Sequence, residues 1–158
     1  MNNLIKLVDG QARLVDDPWT LVREVQESLP AGPLILPLPL WQGREGRDGL
    51  FLQPDDEVEP LASLLDGLSL IAIDFPSFRD GRGYSQAYLL RTRLGWRGEL
   101  RAVGDVLRDQ LSHMRQCGFD AFAVREDKSA EDALKGLAGV SVLYGRSVIE
   151  PRPLFRRR

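Results

Sequence analysis

The sequence is poorest in the residues that bind transition metals and carry thiol chemistry, with one cysteine, Cys117, and one histidine, His113, among 158 residues. A lone thiol makes no intrachain disulfide, an iron–sulfur cluster calls for several thiolates, and a zinc site built from His and Cys is short of ligands. No metal is implied, and no cofactor motif is visible. An apolar run of about 18 residues, the length of a membrane span, is also missing. The opening MNNLIKLVDG is neither a basic n-region nor an apolar h-region, so the expectation is a cytoplasmic protein with no membrane partner. Charge of one sign is lacking as well. Lys+Arg number 21 and Asp+Glu 23, a formal net charge of −2, so no global field points to nucleic acid. Trp19, Trp41 and Trp96 are too scattered along the chain to build a stacking platform for bases.

What is present is the composition of a folded protein: 43% hydrophobic, 28% charged and 8% aromatic residues, which excludes whole-chain disorder and low-complexity architectures. The length suits one domain. We expect a single α/β domain over residues 1–145 and a weakly ordered basic tail over residues 146–158, whose closing arginines read as a solubilising end.

The pattern begins with two β-leaning stretches, Leu4 to Val8 and Gln11 to Val15, around Asp9-Gly10, which predicts an N-terminal hairpin. Asp17-Pro18 supplies an N-cap and a first-turn proline, and Trp19, Val22, Val25 and Leu29 follow at helical spacing, so a helix is expected there. Pro33 to Leu40 is apolar but carries Pro37 and Pro39, which makes that strand short or places it at an edge. Leu50 to Leu52 reads as a brief strand, and a helix is expected from Asp56 or Glu59 to Leu68. Then the alternation becomes regular. Strands at Leu70 to Phe75, Glu99 to Val103, Phe119 to Val124 and Val140 to Tyr144 are separated by helices at Tyr84 to Leu94, Val106 to Cys117 and Ser129 to Ala138. Such alternation is the signature of βαβ units on a parallel sheet, either open and doubly wound or curled like half a (β/α)8 barrel.

The stretch with most chemistry is Phe78-Arg79-Asp80-Gly81-Arg82-Gly83-Tyr84-Ser85, after one strand and before the next helix. Ligands of parallel sheets bind at the carboxyl ends of strands, where helix N-termini favour anions. Gly81 and Gly83 permit close backbone approach, Ser85 offers a hydroxyl, and Arg79 and Arg82 offer planar donors for phosphate, sulfate or carboxylate. Arg125 follows a later strand, and residues 79–101 hold six arginines, Arg101 among them, against Asp80 and Glu99. The expected anion-binding set is Arg79, Gly81, Arg82, Gly83, Ser85, Arg101 and Arg125. Against it stands an ordinary reading, in which Asp80 pairs internally with one of the arginines.

Asp105 and Asp109, four apart, are the candidate catalytic carboxylates, although Asp105 also reads by position as a helix N-cap. His113 and Cys117 have the same spacing and fit a half-buried structural pair better than a nucleophile, since no carboxylate is indicated beside them. Tyr84 and Tyr88 read as packing.

The run FPSFRDGRGYSQAYLLRTRLGWRGELRAVGDVLRDQLSHMRQCGFDAFAVR, residues 75–125, resembles the core of a bacterial domain-of-unknown-function family, number 934. The elements that carry the resemblance are Arg79 to Ser85, Leu90-Arg91, Gly98 to Arg101, Gly104 to Leu107, Asp109-Gln110 and Gly118 to Asp120. Members of that family are typically encoded beside sulfite reductase and are often labelled as oxidoreductases in sulfite reduction. The resemblance thus implies a place in sulfate assimilation, with sulfite reductase as partner and a small oxyanion such as sulfite, sulfate or phosphate as ligand. It supplies no catalytic residues. Because nothing here ligates an iron–sulfur cluster or forms a dinucleotide fingerprint, the expectation is an accessory protein of sulfur metabolism that does not itself transfer electrons. The rivals are a small enzyme with an Asp base and an Arg clamp, and a pure protein-interaction module.

Overall fold

The computed structural model describes residues 1–42 and 48–137. Asp9 and Gly10 both take positive φ, 52° and 79°, the conformation a two-residue hairpin turn demands. They fold β1 (Leu4–Val8) back on β2 (Gln11–Val15), with Val8 opposite Gln11 and Leu4 opposite Val15. Six parallel strands follow: β3 (Thr20–Leu21), β4 (Leu34–Pro37), β5 (Gly49–Leu52), β6 (Leu70–Phe75), β7 (Glu99–Gly104) and β8 (Ala121–Ala123). The hairpin joins the row because β1 pairs antiparallel with β8, giving the order β2-β1-β8-β7-β6-β5-β4-β3.

From β3 to β8 every strand is laid beside its predecessor with no reversal. Right-handed crossovers then put all the connections on one face, whereas the order of a doubly wound sheet reverses at a switch point. Of the two architectures the sequence left open, the chain adopts the half-barrel, an α/β sheet of eight strands in mixed orientation.

The curl has a covalent cause. β2 and β3 occupy opposite edges of the sheet, seven intervals apart, which is about 34 Å in a flat sheet at ~4.8 Å per strand. Only residues 16–19 join them, and the five Cα steps from Val15 to Thr20 reach at most about 17 Å. The connector therefore crosses the concave face and draws the edges together. Trp19 and Leu21 pack there with Ile35, Phe51, Leu70, Ala72 and Val103. The intervening residues Ile71, Ile73 and Phe75 of β6 and Leu100 and Ala102 of β7 pack on the other side. They meet Ala87 and Leu90 of a helix at Arg82–Thr92 and Leu111 and Met114 of one at Leu111–Gln116. With short helices at Leu38–Gln42 and Ala130–Leu134, these are α1 to α4 in chain order, so Arg82–Thr92 is α2 and Leu111–Gln116 is α3.

Several expectations are corrected. No helix follows Asp17-Pro18, because the Thr20 N–H donates to the Pro33 carbonyl at 3.0 Å and the Val22 N–H to the Ile35 carbonyl at 2.9 Å; pairing with β4 overrides the helical spacing. β4 is short as expected, but β3 lies outside it at the edge, and Pro39 falls in α1. The helix expected to run to Leu68 is a 3₁₀ helix over Glu59–Leu64 with proline at its start. α3 begins at Leu111, after a 3₁₀ turn at Arg108–Gln110 whose cap residue is Leu107. The strand expected at Val140 to Tyr144 and the tail from Arg146 lie outside the described residues. No helix of the described residues is long and apolar enough to cross a membrane.

One charge cluster sits inside the half-barrel, toward the amino ends of β7 and β8. Arg101 is 0% exposed, and its guanidinium is held by the Asp17 carboxylate and by Glu99 at 2.8 Å. Lys6 lies 3.0 Å from Glu99 and 3.5 Å from Asp17. Burial pushes the Asp17 carboxyl up, but the hydrogen bond and charge of Arg101, with Lys6, outweigh it and hold the group below its ordinary 3.8. A depressed carboxyl contributes stability that is present above the unfolded value and lost as pH falls through the folded one. We predict that urea-unfolding stability declines as pH falls below 3.8 and that Asp17→Asn both flattens this decline and costs about 3 kcal/mol at neutral pH, the scale for breaking a buried pair.

Candidate functional site at the carboxyl rim

At the carboxyl ends of β7 and β8, opposite the buried cluster, the concave face opens into a cavity of about 830 Å³ whose wall includes Trp19, Leu21, Arg23, Gly104, Arg125 and Asp127. Gly104 has φ +96°, and a Cβ there would lie 2.5 Å from the Phe75 carbonyl oxygen and 2.7 Å from Asp74 Oδ1. Only glycine lets β7 end so close to β6. The next residue, Asp105, is the hub of the rim. Its backbone N–H donates to the Phe75 carbonyl at 2.7 Å. One carboxylate oxygen accepts the Phe78 N–H and the other accepts Arg125 Nη1, each at 2.7 Å. Gln110 completes the hold on Phe78 by donating to its carbonyl at 2.8 Å. The N-cap role expected of Asp105 is therefore corrected: its carboxylate is spent on tying the loop after β6 to the end of β8.

Arg125 also donates from Nε and Nη2 to the two oxygens of Asp127, at 2.6 and 3.0 Å. These bonds, with that to Asp105, hold the guanidinium further above its already high ordinary value. Arg23, after β3, reaches Asp74 at 3.1 Å and lies over the Phe51 ring at 5.6 Å. It also belongs to the wall of a second cavity of about 430 Å³, with Phe51, Asp55, Asp74 and Arg82. Asp74 and Arg23 were missed by sequence reasoning. Asp74 had a usable signal, as the one charge in the buried strand LIAIDF at its carboxyl end; Arg23 had none, because its segment read as a helix.

The structure distributes the expected anion set over different places. At the start of α2 the anion is the chain's own: Asp80 accepts the Arg82 N–H at 3.0 Å and Arg82 Nη2 at 2.7 Å. These bonds to Arg82 pull the partly buried Asp80 carboxyl down to about 2, and Arg82 Nη1 donates to Asp55 at 2.7 Å. Gly83 serves packing, since a Cβ there would lie 2.7 Å from the Phe75 ring. Gly81 faces open space. Ser85 is exposed beside a third cavity, lined also by Asp56, Glu57 and Gln86. Arg79 is exposed, its guanidinium 5.4 Å from the Phe78 ring. Arg101 is buried in the interior cluster, and Asp109 is exposed on the turn before α3. Of the expected residues, Asp105 and Arg125 are in direct contact at the rim, and Arg82 borders the neighbouring cavity.

Cys117 Sγ lies 3.9 Å from His113 Nε2, and the His113 ring stands 4.6 Å from that of Tyr84. Burial pushes the thiol up, away from the thiolate form a nucleophile needs.

Fold and rim together define a βα half-barrel protein with a cavity of mixed polar and apolar lining at the carboxyl ends of its parallel strands. The family described as "Bacterial protein of unknown function (DUF934)" matches residues 49–155, and the chain belongs to it. No curated protein matches the chain.

The two glycines of the Arg-Gly-Arg-Gly turn should separate in a stability assay. Gly83→Ala must displace a buried ring and should cost about 1–3 kcal/mol by urea unfolding, the scale of overpacking a core. Gly81→Ala meets no neighbour within 4 Å and should cost less than half as much.

Proposed function

We propose that this protein is an accessory component of assimilatory sulfate and sulfite reduction that holds an oxyanion-bearing ligand in the cavity at the carboxyl rim. The observation that supports the reading is the placement of Arg23 and Arg125 on the wall of one 830 Å³ cavity, at the strand ends where parallel βα sheets take their ligands. The pathway is suggested by the resemblance over residues 75–125 and by it alone. Sulfite and sulfate are small, planar-donor-seeking anions, and a guanidinium is suited to them. An enzymatic role for Asp105 finds less support, because both of its oxygens already accept hydrogen bonds. Asp109 is exposed and outside the residues that line the rim cavity.

Titration of the isotope-labelled full chain with sodium sulfite, followed by amide and indole chemical shifts, should move the resonances of Trp19, Gly104 and Arg125 saturably. Arg125→Met should weaken that binding at least tenfold, whereas Arg79→Met should leave it unchanged. In the host, deletion of the gene should slow growth on sulfate as sole sulfur source. Normal growth would remove the pathway assignment, and co-purification with the reductase without any sulfite-dependent shift would favour a protein-interaction module.

A further inference from the structure

We propose that the ligand of the rim cavity is a small zwitterion, carrying an ammonium group a few bonds from its oxyanion, and not a bare inorganic anion. The inference rests on the reading of this cavity as the ligand site and specifies the chemistry that fits it.

The argument is one of charge balance. Arg125 faces two carboxylates, Asp105 and Asp127, and Arg23 faces Asp74. Glu126, exposed on the same wall, adds another, and Lys128 beside Asp127 offsets one of the four, leaving the rim one negative charge in excess. The Met1 ammonium, also on the wall, donates to the Asp17 and Trp19 carbonyls and lies 3.9 Å from the Asp16 carboxylate and 3.6 Å from that of Asp17, so with Arg101, Lys6 and Glu99 its charge is balanced within that cluster. A sulfite or sulfate ion entering alone would thus approach guanidinium groups that are outnumbered by carboxylates.

A zwitterion removes this difficulty. A guanidinium has five N–H donors, and the three bonds to Asp127 and Asp105 leave Arg125 with donors to spare. Those, with the half-exposed Arg23, can take an oxyanion without breaking any pair. The ammonium group then stands among Asp127 and Glu126, whose remaining lone pairs accept its protons and whose excess negative charge it offsets. Between the two polar ends, Trp19, Leu21, Val103 and Ala123 offer an apolar wall for a short carbon skeleton. Paired charges of both signs around one cavity are what recognition of an amino-acid-like molecule calls for.

Taurine and isethionate separate the possibilities, because both carry a sulfonate that stays ionised at any working pH and differ only in an ammonium against a hydroxyl group. In chemical-shift titrations of the full chain, taurine should bind at least tenfold more tightly than isethionate, with saturable shifts at Trp19, Gly104 and Arg125. Glu126→Gln should reduce that ratio to about threefold or less, by weakening taurine binding and, as one repelling carboxylate is lost, by somewhat strengthening isethionate binding. Isethionate or inorganic sulfite binding as tightly as taurine would overturn the zwitterion and leave the cavity as an anion site. If none of the three probes moves these resonances, the cavity is not the ligand site, and both readings fall together.

Discussion

A connector too short for a flat sheet shapes this molecule. Residues 16–19 must carry the chain from one edge of an eight-stranded sheet to the other, and the strands curl because the connector cannot lengthen. Crossing the concave face brings a polar backbone and the Asp17 carboxylate into the interior, where an unpaired charge would be costly. Arg101 answers that need from the middle of β7, with Glu99 and Lys6 completing the cluster. One end of the concave face is thereby filled with paired charge, and space for a ligand remains at the other.

The carboxyl rim follows the same logic with looser packing. Asp105, half-shielded, fixes the loop after β6 through Phe78 and orients Arg125 at the end of β8. Gly104 makes this possible by letting the end of β7 lie against Phe75 and Asp74. Guanidinium and carboxylate groups alternate along the rim: Arg125 with Asp105 and Asp127, Arg23 with Asp74, Arg82 with Asp55 and Asp80. A surface pair of this kind contributes little to stability, ~0–1 kcal/mol. The significance of the arrangement lies in the pattern it offers a ligand.

Much of the fold was legible in the sequence, for reasons that are local. Asp9-Gly10 specified a turn that only a hairpin uses, and LIAIDF was long and apolar enough to be a strand buried on both faces. Ser129, where the sequence starts a helix, caps α4 by accepting the Asp132 N–H at 3.1 Å. What could not be read was non-local. Trp19, Val22, Val25 and Leu29 have helical spacing, but the segment pairs with β4, and its direction is fixed by Arg101, 84 residues away from Asp17. The site was read in part. Sequence order placed Asp105 and Arg125 at strand ends, which suffices to bring them to one rim, and the ordinary reading of Asp80 paired with a nearby arginine holds for Arg82, but the sequence could not show that Arg82 also reaches Asp55, or that Arg101 points into the interior. The alternation of residues along β7 puts Arg101 and Val103 on the concave face and Leu100 and Ala102 on the convex one, a distinction that needs the position of the strand in the sheet.

The connector anchored by Asp17 on Arg101 is the claim from which the rest is built, and a double-mutant cycle tests it most directly. Unfolding free energies of the chain, Asp17→Asn, Arg101→Met and the double variant give the coupling between the two side chains. The account predicts a coupling above about 1 kcal/mol, the range for groups in direct contact. Additive effects, within about 0.5 kcal/mol, would mean that the connector is held in place by something other than this pair.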